Sequence, residues 1–167
     1  MKPMYKPFSQ AKLQSGVMLI EALVALLIFS VGILGIVGLQ ASAIKASSDA
    51  KYRSEAALMA NELIGKMWAS NRTQATLQAA YASTNGTAYQ TWAWQGLDAA
   101  TPGTLTAPAP GTVMKALPGA LANPPTVVIT ASTATIIPSS LVTVTVFWQA
   151  PGDTTVHNYI AIAQIGG

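Results

Sequence analysis

The chain has 167 residues, of which 51% are hydrophobic and only 9% are charged, well below the ~25% of an average soluble domain. The absence of cysteine excludes a disulfide framework, a thiol nucleophile and most structural zinc sites. The formal net charge of +3 reflects Lys2, Lys6 and Lys12, because the remaining basic and acidic residues balance. The basic composition therefore does not indicate nucleic-acid binding.

The first predicted element is an apolar helix over residues 17–39, whose one charged residue is Glu21. A helix of this length is about 35 Å long, enough to cross a bilayer core of about 30 Å. The lysines that precede the helix predict a cytoplasmic N-terminus and a C-terminal domain on the other side of the membrane. We therefore predict a single-pass membrane protein.

Two simpler interpretations of this segment compete. An ordinary secretory signal peptide could be cut at the small residues Ala41-Ser42-Ala43, and a signal anchor would not be cut at all. The segment is longer than the ~7–15 residues of an ordinary signal-peptide core, and it carries a carboxylate. The helix dipole would make Glu21 tolerable near the start of a helix. An ionisable residue in a membrane segment nevertheless indicates a functional partner charge.

Residues 15–29, SGVMLIEALVALLIF, resemble the class III leader junction of the type IV prepilin family. In that family a basic leader ends in Gly, an apolar stretch follows, and Glu is the fifth residue of the mature protein. When Val17 is counted as the first mature residue, Glu21 is the fifth. One departure is that most family members have Phe where this chain has Val17.

The resemblance implies that a prepilin peptidase removes the leader, residues 1–16, by cutting after Gly16, and that the new N-terminal amine of Val17 is methylated. It also implies a role for Glu21. The carboxylate would neutralise the cationic amine of an adjacent subunit in an apolar bundle, where an unpaired charge is severely penalised. The pair would thereby set the axial register of subunits during assembly.

Three glycines, Gly32, Gly35 and Gly38, interrupt the apolar half of the helix. One interpretation is close packing of helices through small residues, as in membrane bundles. The other is helix flexibility, so that the segment can bend or partly unwind when subunits assemble. The residues alone leave both interpretations open.

An amphipathic continuation of the helix is predicted over residues 40–72. Two apolar rows, Met59–Leu63–Met67 and Ala60–Ile64–Trp68, form a stripe that could be buried against a sheet. Residues 73–125 are rich in Pro, Gly, Ala and Thr, which predicts a connecting loop region. One strand is predicted within it at Tyr89–Gln95, with Trp92 and Trp94 on one face, in a protein core rather than on a binding platform.

An antiparallel β-sheet is predicted over residues 126–167. Its strands are expected at Thr126–Ala131, Leu141–Gln149 and Thr155–Ile165, with the turn Pro151-Gly152-Asp153 closing a hairpin between the last two. The fold class is therefore predicted to be α+β, and the resemblance to type IV prepilins implies that it is pilin-like. A long N-terminal α-helix, half of it transmembrane, would pack against a small antiparallel sheet of three or four strands.

Residues for an active site are missing from the sequence. His157 is the only histidine and lies near Asp153, an arrangement that is usually structural. With no acid–base pair, metal-ligand cluster or phosphate-binding loop, we predict neither enzyme activity nor a cofactor or metal.

The resemblance instead implies a structural minor pilin that takes part in the assembly, initiation or modification of a type IV pilus. Its implied partners are other minor pilins, the major pilin, the prepilin peptidase and the inner-membrane assembly platform. It would lie in the inner membrane with its C-terminal domain in the periplasm, and then in the pilus at the cell surface. The alternatives are a minor pseudopilin of type II secretion and, in a different class, a membrane-anchored adhesin that uses Trp92 and Trp94.

Overall fold

The computed structural model describes residues 15–83, 86–94, 108–131 and 139–166, so the predicted leader up to residue 14 lies outside the described residues. The chain divides into two compact units, Met1–Lys45 and Ala46–Gly167. The described elements are α1 (Ser15–Ala69), α2 (Gln74–Tyr81), α3 (Thr87–Ala93), α4 (Val113–Ala116), β1 (Thr126–Ala131), β2 (Ser139–Trp148) and β3 (His157–Gly166).

The described part of the first unit is helical, because α1 begins at Ser15 and continues beyond the unit boundary. Every described side chain of this unit from residue 16 onward is exposed. By length and composition α1 could cross a membrane. The finding agrees with the predicted single-pass anchor at that level of detail.

In the second unit, the C-terminal part of α1 contributes one face to the protein core. Ala56, Ala60, Leu63 and Met67 are all completely buried, and their spacing of three and four residues places them on one side of the helix. They belong to the same core cluster as the apolar side chains of the sheet. The predicted burial of the helix against a sheet is therefore confirmed.

Two details of this helix were predicted wrongly. Trp68, expected in the buried stripe, is 46% exposed, because the buried face passes from Ala60 in its own row to Leu63 and Met67 in the neighbouring row. The helix also ends at Ala69 rather than at Arg72. The Arg72 guanidinium lies 6.0 Å from the centroid of the Trp68 ring, within the range of a cation–π contact.

The connecting region is more helical than the sequence predicts. A strand was expected at Tyr89–Gln95, but residues 89–93 belong to the helix α3, and Gln95 lies outside the described residues. Tyr89, Trp92 and Ala93 are buried, and their spacing of three and four residues is helical. The predicted core position of Trp92 is confirmed, whereas Trp94 is only partly buried at the edge of the core.

Short helices replace the predicted loop elsewhere in the connecting region, where α2 and α4 form. Hydrogen bonds to distant backbone atoms hold α2 and α3. Gln78 Nε2 donates to the Ile129 carbonyl at 2.8 Å, and Trp92 Nε1 donates to the Met59 carbonyl at 3.0 Å. These tertiary contacts supply the stability that such short helices lack in isolation.

The sheet has three strands among the described residues, in the order β1-β2-β3, with both neighbouring pairs antiparallel. The predicted hairpin between β2 and β3 is confirmed, and Gly152 in its turn adopts a φ of 79°, a conformation that favours glycine. In β2 the alternate residues that face the core are buried: Ser140, Val142, Val144, Val146 and Trp148. The fold is therefore α+β, with a long helix packed on a small antiparallel sheet.

Candidate functional site

The residues of the predicted cleavage junction lie in the first turns of α1. Gly16 and Val17 follow the first helical residue, Ser15, and Glu21 comes one turn after Val17. Residues four apart lie on the same side of a helix, about 6 Å apart along its axis. Val17 is 65% exposed and Glu21 is exposed, so this part of the helix leaves both the predicted cleavage residue and the carboxylate accessible.

Glu21 is surrounded by apolar side chains. Ile20 is 68% exposed and Leu23 is 63% exposed, so an apolar surface adjoins the carboxylate. No described residue forms an ion pair or hydrogen bond with the Glu21 side chain. A carboxylate in an apolar surface is costly to desolvate without a cation. Chemically, this position is suited to accept a cationic group brought by another molecule.

The glycines farther along the helix leave its surface open. A Cβ added at Gly32, Gly35 or Gly38 would meet nothing within 4 Å, and the described helix is continuous through all three positions. The glycines thus form a shallow, small-residue surface that a neighbouring helix could approach closely. Both sequence interpretations, close packing and bending on assembly, stay predictions.

A polar cluster in the second unit joins α1 to the β2–β3 hairpin. Trp148 Nε1 donates to Asp49 Oδ1 at 3.1 Å, and His157 stacks on the Trp148 ring with centroids 5.8 Å apart. His157 Nε2 lies 3.1 Å from Asp153 Oδ2, and its Nδ1 lies 3.8 Å from Asp49 Oδ1. The arrangement positions the imidazole between two carboxylates as a structural link.

Sequence reasoning placed His157 near Asp153 but missed Asp49 and Trp148. The Trp148–Asp49 hydrogen bond joins residues 99 positions apart, so no local pattern indicates it. Within the described ranges, no group of three His, Asp or Glu side chains could hold a metal ion. The cluster offers His157 no nucleophile to activate, and the prediction that the chain is not an enzyme stays a prediction.

Tyr89 is a second buried polar contact of structural character. Its hydroxyl donates to the Pro125 carbonyl at 2.6 Å. Burial desolvates the phenolate form, which raises the pKa of Tyr89 above its ordinary value of 10.0. The side chain is therefore a neutral donor that ties α3 to the start of β1.

No protein family, curated protein or solved structure shows a significant match to this chain. Functional interpretation therefore depends on the residues themselves. The position with the most specific chemistry is the start of α1, where a potential cleavage peptide and one carboxylate lie at the head of an exposed apolar segment.

Proposed function

We propose that this chain is the precursor of a minor pilin, most similar to the pilus modification protein PilV, with the pilin-like fold that this implies. The leader, residues 1–16, is removed by a prepilin peptidase, and the mature protein takes part in assembling, initiating or modifying a type IV pilus. Before assembly it is anchored in the inner membrane with its C-terminal domain in the periplasm. Its partners are other minor pilins, the major pilin and the assembly platform.

One observation carries the proposal: the register of Gly16, Val17 and Glu21 at the head of the apolar segment 17–39, whose side chains are all exposed. The single carboxylate has no partner among the described residues, and the described residues of its own unit do not cover the apolar surface. A monomer in water would leave this surface unfavourably hydrated. A membrane before assembly and a helical bundle after assembly would each bury it.

In the proposed mechanism, cleavage creates a cation where none existed before. The new amine of Val17 enters an apolar bundle together with the Glu21 carboxylate of an adjacent subunit, and the attraction between the two charges offsets part of the cost of desolvating them. Subunits that are out of axial register leave both charges unpaired. The pair therefore selects the correct register, while the apolar side chains of residues 17–39 supply the area of contact.

The first test is the intact mass and N-terminal sequence of the protein from cells with and without the prepilin peptidase. We expect peptidase-dependent loss of Met1–Gly16 and a methylated amine on Val17. An uncut chain would contradict the proposal and favour a membrane-anchored binding module. A cut after Ala43 would indicate an ordinary secreted protein.

The second test separates processing from assembly. Glu21→Ala should leave cleavage after Gly16 largely intact but strongly reduce incorporation into pili. Glu62→Ala is the matched control, because Glu62 lies on the same helix and its exposed side chain pairs with Lys66 at 2.6 Å. Normal incorporation of the Glu21→Ala variant would refute the role of the carboxylate. Normal piliation with lost protein secretion in a deletion strain would favour the pseudopilin alternative.

A further inference from the structure

The loop between α1 and α2 contains an acceptor sequence for a covalent modification. α1 ends at Ala69 and α2 begins at Gln74, and the residues between them include Asn71, Arg72 and Thr73. All three of these residues are exposed. An asparagine followed two residues later by Ser or Thr, with any residue except Pro between them, is the acceptor sequence for N-linked glycosylation.

The loop holds the side-chain amide of Asn71 with its nitrogen free. The Thr73 N–H donates to Asn71 Oδ1 at 3.1 Å, a side-chain turn of the kind that Asn forms with the backbone two residues on. No described residue accepts a hydrogen bond from Asn71 Nδ2. A donor on the amide oxygen stabilises the negative charge that develops there when the nitrogen loses a proton. Nδ2 is therefore both accessible and easier to deprotonate.

Thr73 presents the hydroxyl that the acceptor sequence requires. Its backbone is extended, with φ −65° and ψ 140°, so the chain leaves the loop at this residue before α2 begins. Its Oγ1 lies 2.8 Å from Thr76 Oγ1, and this contact is exposed. A polar group of an enzyme can therefore replace Thr76 as the partner of the Thr73 hydroxyl.

An exposed aromatic ring lies three residues before Asn71. Trp68 is 46% exposed, although the sequence predicted it in the core, and the Arg72 guanidinium lies 6.0 Å from its ring centroid. An indole face in water is an apolar area that the C–H groups of a sugar ring can cover. A sugar attached to Asn71 would be within reach of this ring, because only two residues separate the two positions.

We propose that Asn71 is N-glycosylated and that Trp68 packs against the first sugar. The donor is an oligosaccharide carried on a polyprenyl diphosphate lipid. A bond forms between Asn71 Nδ2 and C1 of the first sugar, and the bond between C1 and the diphosphate oxygen breaks. The diphosphate leaves with the electron pair, and Nδ2 gives one proton to a base of the transferase. Because such transfer takes place outside the cytoplasm, the proposal rests on the location proposed above for the C-terminal domain.

Other asparagines of the chain serve as internal controls. Asn61 and Asn158 are also exposed, but Leu63 and Ile160 occupy the positions where the hydroxyl is required. Asn85 does have a threonine two residues later, but it lies outside the described residues. The structural argument therefore applies to Asn71, and exposure without the acceptor sequence is tested at Asn61 and Asn158.

The test is mass spectrometry of the full chain isolated from the cells that produce it. Trypsin cuts after Lys66 and Arg72, and Asn71 is the one asparagine in the resulting peptide, residues 67–72. We expect this peptide to carry a saccharide that electron-transfer fragmentation localises to Asn71. Thr73→Val keeps the shape of the side chain and the backbone N–H that bonds to Asn71, but it should lose the saccharide. Thr73→Ser, which keeps the hydroxyl, should retain it.

Three results would overturn the assignment: an unmodified Asn71 in the original chain, a saccharide localised to the Ser70 hydroxyl, or an equally modified Thr73→Val variant. The intact mass of the same sample reports whether Met1–Gly16 is present. A chain that has lost the leader but has an unmodified Asn71 would overturn glycosylation and leave the proposed function standing. A glycosylated chain that retains its leader would do the reverse.

The role of Trp68 has its own measurement, the thermal unfolding of both forms in detergent. The glycosylated original chain should unfold about 2–4 °C above the unglycosylated Thr73→Val variant. The same comparison made in a Trp68→Ala background should show no difference, whereas Trp68→Phe, which keeps an aromatic ring, should retain most of it. An equal difference with and without the aromatic ring would overturn the packing of Trp68 on the sugar.

Discussion

The Trp148–Asp49 hydrogen bond is the contact between helix and hairpin whose contribution to stability can be tested most directly. Trp148 is only 2% exposed, and its Nε1 lies 3.1 Å from Asp49 Oδ1. Asp49→Ala would leave this indole N–H buried without its acceptor. An unsatisfied buried donor costs about 1–3 kcal/mol. Because the Asp49 side chain is 40% exposed, water can approach, and we expect about 1–2 kcal/mol.

The matched control is Glu62→Ala, which removes a carboxylate from the same helix. The side chains of Glu62 and Lys66 are about half exposed, at 52% and 51%, and exposed pairs of this spacing contribute only about 0.3–0.5 kcal/mol. Asp49→Asn keeps an oxygen acceptor but loses the charge. It should lower the free energy of unfolding by about 0.5–1 kcal/mol, less than Asp49→Ala does.

The assay is thermal unfolding of the full chain in detergent, followed by the near-UV circular dichroism of its tryptophans. For a unit of this size the expected losses correspond to a decrease in Tm of about 3–8 °C for Asp49→Ala and less than about 2 °C for Glu62→Ala. A double-mutant cycle with Trp148→Phe isolates the pair, with an expected coupling of about 1 kcal/mol. If Asp49→Ala costs the same with and without Trp148, the reasoning is refuted.

Three further predictions concern the second unit. Leu63→Ala, at a completely buried position, should lower the free energy of unfolding by about 2–5 kcal/mol. Leu58, on the same helix, is 70% exposed, so Leu58→Ala should lower it by less than about 0.5 kcal/mol. Equal losses in urea unfolding would contradict the assigned core. Because burial raises the pKa of Tyr89, its contribution to stability should be complete below about pH 10 and lost as the pH rises through the folded-state pKa. A Tyr89→Phe variant should show a weaker loss of stability between pH 9 and 11 than the original chain. Gly65 lies in a helix with open space around it, so Gly65→Ala should stabilise the protein by about 0.5–1 kcal/mol. Gly119 has a φ of 74°, and an added Cβ would lie 2.8 Å from a neighbouring side chain, so Gly119→Ala should destabilise the protein by about 1–3 kcal/mol. Thermal unfolding that shows the same sign for both glycines would contradict this assignment.

The parts of the fold that were predictable depend on local patterns. Strict alternation indicated β2, and Pro151-Gly152-Asp153 indicated its turn to β3, because strand period and turn chemistry are properties of neighbouring residues. The start of α1 was predictable for the same reason. Gly16, Val17 and Glu21 lie within two turns of one helix, so the candidate cleavage junction needs no tertiary information.

The parts that were not predictable depend on contacts between distant residues. Trp92 in α3 and Trp94 directly after it stand at strand spacing. The helix is nevertheless favoured by the contact of Tyr89 with the Pro125 carbonyl, 36 positions away. Likewise, two adjacent apolar rows on α1 could each have faced the sheet. The core buries Ala60 from one row and Leu63 from the other and leaves Trp68 exposed, a choice that the spacing of residues along α1 does not contain.

The location of Glu21 near the start of α1 predicts that its charge affects assembly more than membrane insertion. It lies near one end of the apolar segment, so in the proposed membrane anchor its carboxylate would reach the headgroup region. There it would lower the free energy gained on insertion by less than the ~2.5–3.5 kcal/mol of a charge at the bilayer centre. In a protein bundle no headgroups are available, and only a cation from a neighbour can compensate for the charge. We therefore expect Glu21→Leu to insert into membranes at least as well as the original chain and yet to assemble poorly. Membrane fractionation and pilus incorporation measured on the same cells distinguish these effects, and a parallel loss of both would contradict a role confined to assembly.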